Sequence, residues 1–294
     1  MIRSSGKPQR RRAIAITAVG VILLAGCSSS SDEATEVGGV DFGHVHTLVR
    51  DEDGTLLAAT HNGLFELDER GADLVSQDGS HDLMALASLP DGTLIASGHP
   101  DLRTDELLVD GAPALLGLVR SVDGGRTWES LSLLGEADFH AFALTDDEIV
   151  GADGATGSVM ASPDGRSWST RGAVEARDLA MDPGDPAMLL AVAFDGSVQF
   201  SDDGGMTWTP REGPELVSIE WVADDLILAV GPGGTVYSAA GPEASWQETG
   251  RLPGTPEALL AEGGTAWAAL EGGQVMESPD LGETWSVLVD ASDD

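Results

Sequence analysis

The sequence predicts an all-β fold, a six-bladed β-propeller of four-stranded antiparallel blades, on three observations. A tryptophan-terminated turn motif recurs at near-constant spacing, the residues between copies alternate apolar with polar, and Gly-Gly or Asp-Gly pairs interrupt them. The motif reads Ser121-Val-Asp123-Gly-Gly-Arg-Thr-Trp128, Ser162-Pro-Asp164-Gly-Arg-Ser-Trp168, Ser201-Asp-Asp203-Gly-Gly-Met-Thr-Trp208 and Ser278-Pro-Asp280-Leu-Gly-Glu-Thr-Trp285, with a decayed copy ending at Trp246. The five tryptophans are separated by 40, 40, 38 and 39 residues, the length of one four-stranded propeller blade. Each copy has the chemistry of a hairpin turn. The aspartate accepts bonds from backbone N–H groups, glycine supplies a positive φ, and the indole starts the outer strand and packs between sheets.

Counting back from the C-terminus gives units near 257–294, 217–256, 177–216, 138–176 and 81–137, and a first unit near 42–80 that lacks the motif. The last unit shows the strand order most clearly: Glu257 to Ala261, Thr265 to Leu270, Gln274 to Ser278, the turn, and Trp285 to Val289. The surplus of the second unit lies around Arg103 to Leu116, read as a loop over one face.

Ahead of the propeller, Arg3, Lys7, Arg10, Arg11 and Arg12 precede an apolar run from Ala13 to Ala25 without a single acid, the pattern of a secretory signal over residues 1–26. The run closes on Leu24-Ala25-Gly26-Cys27, which resembles the bacterial lipobox. That resemblance implies cleavage before Cys27, lipid attachment to it, and a place on the extracytoplasmic face of the cell membrane. Cys27 is the only cysteine, so no intrachain disulfide competes for it. Residues 27–41 read as a flexible tether and 42–294 as the propeller. Beyond the signal, 10 arginines and no lysine face 50 acids. Such a field repels nucleic acid and anionic headgroups, and it suits divalent cations or simple solubility.

All six histidines lie in the first three units. The openings of the innermost strands align as His44-Val-His46, Asp82-Leu-Met84 and Asp138-Phe-His140, and spacing by two puts each pair on one side of its strand. His61 and His99 follow second strands, and His81 precedes an inner one, so the pattern gathers these residues at one mouth of the central channel. Three readings stay open. His44, His46, His99 and His140, with Asp82 or Asp138, form a ligand set suited to copper or zinc. His61, His81 and Met84 with the aspartates would instead hold a glycan or small polar ligand by acid–base and hydrogen-bonding groups. The third reading is that each histidine satisfies a nearby carbonyl or acid.

The turn motifs resemble the Asp-box, or BNR repeat, of sialidases, sortilin-type domains and bacterial surface propellers. Over nearly its whole mature length the chain is also similar to actinobacterial-type lipoproteins labelled glycosylhydrolase-like or sialidase-like, through the lipobox, His44-Val-His46, Ser97-Gly-His99-Pro100 and Ser132 to His140. The resemblance implies the architecture, with Asp123, Trp128, Asp164, Trp168, Asp203, Trp208, Asp280 and Trp285 as structural residues. Tyrosine-nucleophile sialidase chemistry fits poorly. The lone tyrosine, Tyr237, falls in a third-strand packing column, and Arg126, Arg166 and Arg211 fall at hairpins on the opposite face, leaving Arg50, Arg103 and Arg177 unplaced. The function expected is therefore a ligand-binding or protein-interaction module, with a glycan, a small polar ligand or an envelope protein as partner. The alternative is a glycoside hydrolase using a carboxylate pair, drawn from the candidate catalytic acids Asp82 and Asp138 or from Asp178 and Glu220.

Overall fold

The computed structural model describes residues 43–290 and a short strand pair, Glu36–Val37 with Val40–Asp41. The signal segment and Cys27 fall outside the described residues, and the strand pair lies within the expected tether. Among the described residues all regular structure is β, in six sheets of four antiparallel strands besides the short pair. Blade one comprises Val45–Arg50, Leu56–Thr60, Gly63–Asp68 and Gly71–Leu74. The inner strands of blades two to six are Asp82–Ser88, Phe139–Leu144, Ala176–Asp182, Ser218–Ala223 and Pro256–Glu262. These starts fall within two residues of those read from the repeat.

Among the described residues every blade is a contiguous stretch of chain, and no strand is exchanged to close the ring. Closure rests on packing. Six apolar clusters occupy the six blade interfaces, and the one that seals the ring sets Val45, Leu48 and Phe65 of blade one against Ala258, Trp267 and Val275 of blade six. A polar latch supplements it, the Val45 N–H donating to Glu257 Oε2 at 2.9 Å across 212 residues.

The Asp-boxes build the interfaces from outside. In the third copy Ser201 Oγ donates to Asp203 Oδ1 at 2.8 Å and accepts from the Gly205 N–H at 2.9 Å, while Asp203 accepts from the Thr207 N–H at 2.8 Å and hydroxyl at 2.6 Å. Bonds from the Thr207 hydroxyl and backbone hold the Asp203 carboxyl down at about 2. The turn thus presents its tryptophan to the preceding blade: Trp128, Trp168, Trp208, Trp246 and Trp285 join successive interfaces from one–two to five–six. Blade one has no box, and Trp267 from the second strand of blade six fills the sixth interface instead. In the fourth box Leu281 takes φ 55°, the left-handed region that Gly124 and Gly204 occupy in the first and third.

Candidate functional site

The inner strands share a distortion that builds the site. Their pairing with the second strand slips between Val45 and Thr47, Leu83 and Ala85, Phe139 and Ala141, Ala176 and Asp178, and Pro256 and Ala258. The residues left unpaired are His46, Met84, His140, Arg177 and Glu257, and a bulged residue is free to re-aim its side chain. All five line the central channel, a cavity of about 780 Å³, and in blade five, where no slip occurs at this height, Val217 and Ser218 line it. Sequence alignment of the inner strands put His46, Met84 and His140 in one column, and the backbone explains why that column faces the channel. Glu257 falls in the same column through Pro256-Glu257-Ala258, a signal the sequence carried but the histidine pattern overshadowed.

Five of the six histidines converge with two aspartates at the mouth. His46 Nε2 lies 3.3 Å from His61 Nδ1, and both face Asp82 Oδ1, at 3.3 and 3.0 Å. The His44 ring centroid is 4.8 Å from that of His46 and 5.7 Å from that of His61, and the ligand atoms of the three imidazoles lie within 4.8 Å of one another. Continuing around the mouth, His99 Nδ1 is 3.4 Å from Asp82 Oδ2, and His99 Nε2 is 3.5 Å from Asp138 Oδ2. Asp138 Oδ2 is also 3.0 Å from His140 Nε2. Close backbone approach makes room for these rings: a Cβ on Gly154 would stand 2.5 Å from the His140 imidazole, and one on Gly98 would stand 2.1 Å from the Asp82 carbonyl oxygen.

Partial burial pushes the Asp82 carboxyl up, but hydrogen bonds from His46 and His61 outweigh it and hold Asp82 well below its ordinary value. Burial pushes the His46 imidazole down, against the pull of Asp82. Asp82 is therefore ionised and His46 neutral near pH 7, the states required of metal ligands. His81, expected at the mouth, lies elsewhere. It is buried, its Nδ1 accepts the Asp101 N–H at 3.0 Å, and its Nε2 faces Asp78 Oδ1 at 3.6 Å, so it pins the base of the blade-two loop. That loop holds Arg103 on Asp101.

Blades four to six furnish a different arc. Asp178 Oδ2 accepts from the Ser218 hydroxyl at 2.6 Å and the Ile219 N–H at 2.9 Å, yet burial prevails and pushes its carboxyl up to about 6. Glu220, on the channel wall, is pushed well above the ordinary carboxylate value by burial and by the charges of Asp178 and Glu262. Burial raises Glu257 to about 7 against the opposing Val45 N–H bond. Arg177 lines this arc, Arg50 stacks over Trp267 at the far end of its strand, and Arg211 stacks over Trp246 on the outer wall. Tyr237 is half-buried against the interface of blades four and five. Neither an arginine cluster nor a tyrosine nucleophile is assembled at the mouth among the described residues.

The BNR/Asp-box repeat family matches residues 199–210, the third turn motif. No curated protein matches the chain. Among solved structures, the nidogen–laminin complex shares 11% identity at a TM-score of 0.60, covering 80% of this chain and 93% of that one. Catalytically inactive virginiamycin B lyase from Staphylococcus aureus with quinupristin shares 11% identity at a TM-score of 0.54, covering 84% and 85%. YCF48 bound to D1 peptide shares 17% identity at a TM-score of 0.54, covering 84% and 81%. At these identities the likeness is one of fold.

Proposed function

We propose that this chain is a lipid-anchored, extracytoplasmic β-propeller that serves as a binding module, with a zinc or copper ion at its hub as the binding group. The observation that carries the metal is the triangle of His46 Nε2, His61 Nδ1 and Asp82 Oδ1, with edges of 3.3, 3.3 and 3.0 Å. Ligand atoms placed tetrahedrally at 2.0–2.1 Å from zinc stand about 3.3 Å apart, so the triangle has the size of one face of such a site, and His44, whose ligand atom lies within 4.8 Å of those of His46 and His61, would close in as the fourth ligand. Three imidazoles with one carboxylate suit zinc or copper far better than calcium or magnesium. Met84 and Phe194, the latter edge-on to the His140 ring, line the same cavity and give it an apolar wall for whatever the ion engages. Two of the structural neighbours were captured with quinupristin and with a peptide, so propellers of this shape carry partners of both kinds.

Elemental analysis of full-length protein purified without a histidine tag tests the ion: one or more zinc or copper per chain is expected, with loss of that ion in His46→Ala/His61→Ala. A metal-free wild type sinks the reading. The anchor rests on Leu24-Ala25-Gly26-Cys27. Cys27→Ser is expected to block lipid labelling and release the protein from the membrane fraction, and unchanged labelling would reject it.

The raised acids of the opposite arc favour a second reading, a glycoside hydrolase whose general acid is Glu220 or Asp178. Asp82, fixed as an ionised partner of imidazoles, suits a ligand and not a proton donor. Hydrolysis of chromogenic glycosides that is abolished by Glu220→Gln and spared by His46→Ala/His61→Ala would establish this reading over the first.

A further inference from the structure

Resting on the metal reading above, we propose that the mouth holds a second transition-metal ion, bound by His99 Nε2, His140 Nε2 and Asp138, and linked to the first through Asp82. Three observations converge on it. Asp138 is buried, 6% exposed, and its Oδ1 has no hydrogen-bond partner among the described residues. A carboxylate oxygen shut away from water without a donor costs free energy that a cation held by both oxygens of Asp138 would recover. Both Nε2 atoms point at the other oxygen, Oδ2, at 3.5 Å from His99 and 3.0 Å from His140, which are ligand-to-ligand separations of the size a tetrahedral ion imposes.

His99 supplies the third observation. His99 bridges the two carboxylates, its Nδ1 3.4 Å from Asp82 Oδ2 and its Nε2 3.5 Å from Asp138 Oδ2. With an ion at Nε2, Nδ1–H donates to Asp82 Oδ2, the carboxylate–histidine–metal arrangement that fixes a ligand's tautomer. Asp82 would bind the first ion through Oδ1 and orient a ligand of the second through Oδ2. The two ions are thereby coupled.

Zinc chloride titrated into the metal-stripped full chain, in excess magnesium to mask exposed carboxylates, tests the proposal by stoichiometry. Two zinc ions are expected in wild type. His140→Ala is expected to bind one, with the affinity of the remaining site unchanged. His99→Ala is expected to bind one more weakly, by about 10- to 100-fold, because Asp82 loses the partner that holds it. One zinc in wild type, unchanged in His140→Ala, would overturn the second ion and leave the first standing. No zinc at all would overturn both readings. Two zinc ions retained in both variants would reject the assigned ligands. The wild-type count stands whether or not a variant folds, and thermal melts of the variants identify any loss that comes from unfolding.

Discussion

Blades one to three and blades four to six begin their inner strands at the same height of the same channel, yet the two arcs treat a carboxylate in opposite ways. In the first arc Asp82 is held ionised because imidazoles crowd its oxygens. In the second, Asp178 and Glu257 are pushed up to about 6 and about 7, because burial outweighs the few neutral donors that reach them. The bulge delivers a side chain to the hub in both arcs, so position comes from the backbone and chemistry from the residue delivered. A propeller can in this way combine cation-ready ligands with proton-holding acids around one cavity.

The strongest way to break the first arc is through its backbone. Gly98 has φ +134°, and an added Cβ would stand 2.1 Å from the Asp82 carbonyl oxygen and 2.8 Å from the Met84 nitrogen. Gly98→Ala is expected to cost about 2–4 kcal/mol in denaturant unfolding and to weaken zinc uptake, since it must move both Asp82 and His99. If the variant keeps wild-type stability and zinc binding, the imidazole arc does not depend on this close approach.

A perturbation at the rim should sharpen the comparison by leaving it intact. Asp203→Ala removes the acceptor of the Thr207 N–H and hydroxyl bonds in a turn far from the hub, so a loss of about 1–3 kcal/mol is expected with no change in zinc stoichiometry. Altered metal binding in this variant would mean that blade spacing, and not the local residues, sets the chemistry of the arcs.

The ring itself was legible because an Asp-box needs the same serine, aspartate, glycine and tryptophan in every copy, and Trp128, Trp168, Trp208 and Trp285 therefore mark the period directly. The column His46, Met84, His140 was legible for a related reason, since it repeats at one place in the blade. His81 misled because sequence proximity to Asp82 says nothing about the loop that folds over it; Asp101, twenty residues on, captures the ring. Glu257 stands in the same column, but without a histidine or aspartate beside it the column was not extended to blade six. Gly154 stayed hidden, because its role depends on a close approach to the His140 ring that leaves no residue pattern of its own.

The smallest effect lies in the second arc and separates it from the first by pH. Glu220 has a folded pKa well above that of the unfolded chain, so between those values the native state holds a proton that the unfolded state has lost. Its contribution to stability is present below the unfolded value, near 4.5, and is lost as pH rises through the folded one. Asp178 behaves likewise over a window from 3.8 to about 6. Glutamine copies the protonated glutamate in shape and cannot ionise, so Glu220→Gln is expected to match wild type near pH 4 and to exceed it by about 1 kcal/mol near pH 8. Asp178 is the poorer test, because asparagine would set an N–H against the Ile219 or Leu179 N–H that the carboxylate accepts. Urea midpoints of wild type and Glu220→Gln across that range measure the difference. Parallel curves would show that Glu220 ionises as freely as a surface acid, and the contrast between the arcs would then be reduced to Asp178 and Glu257.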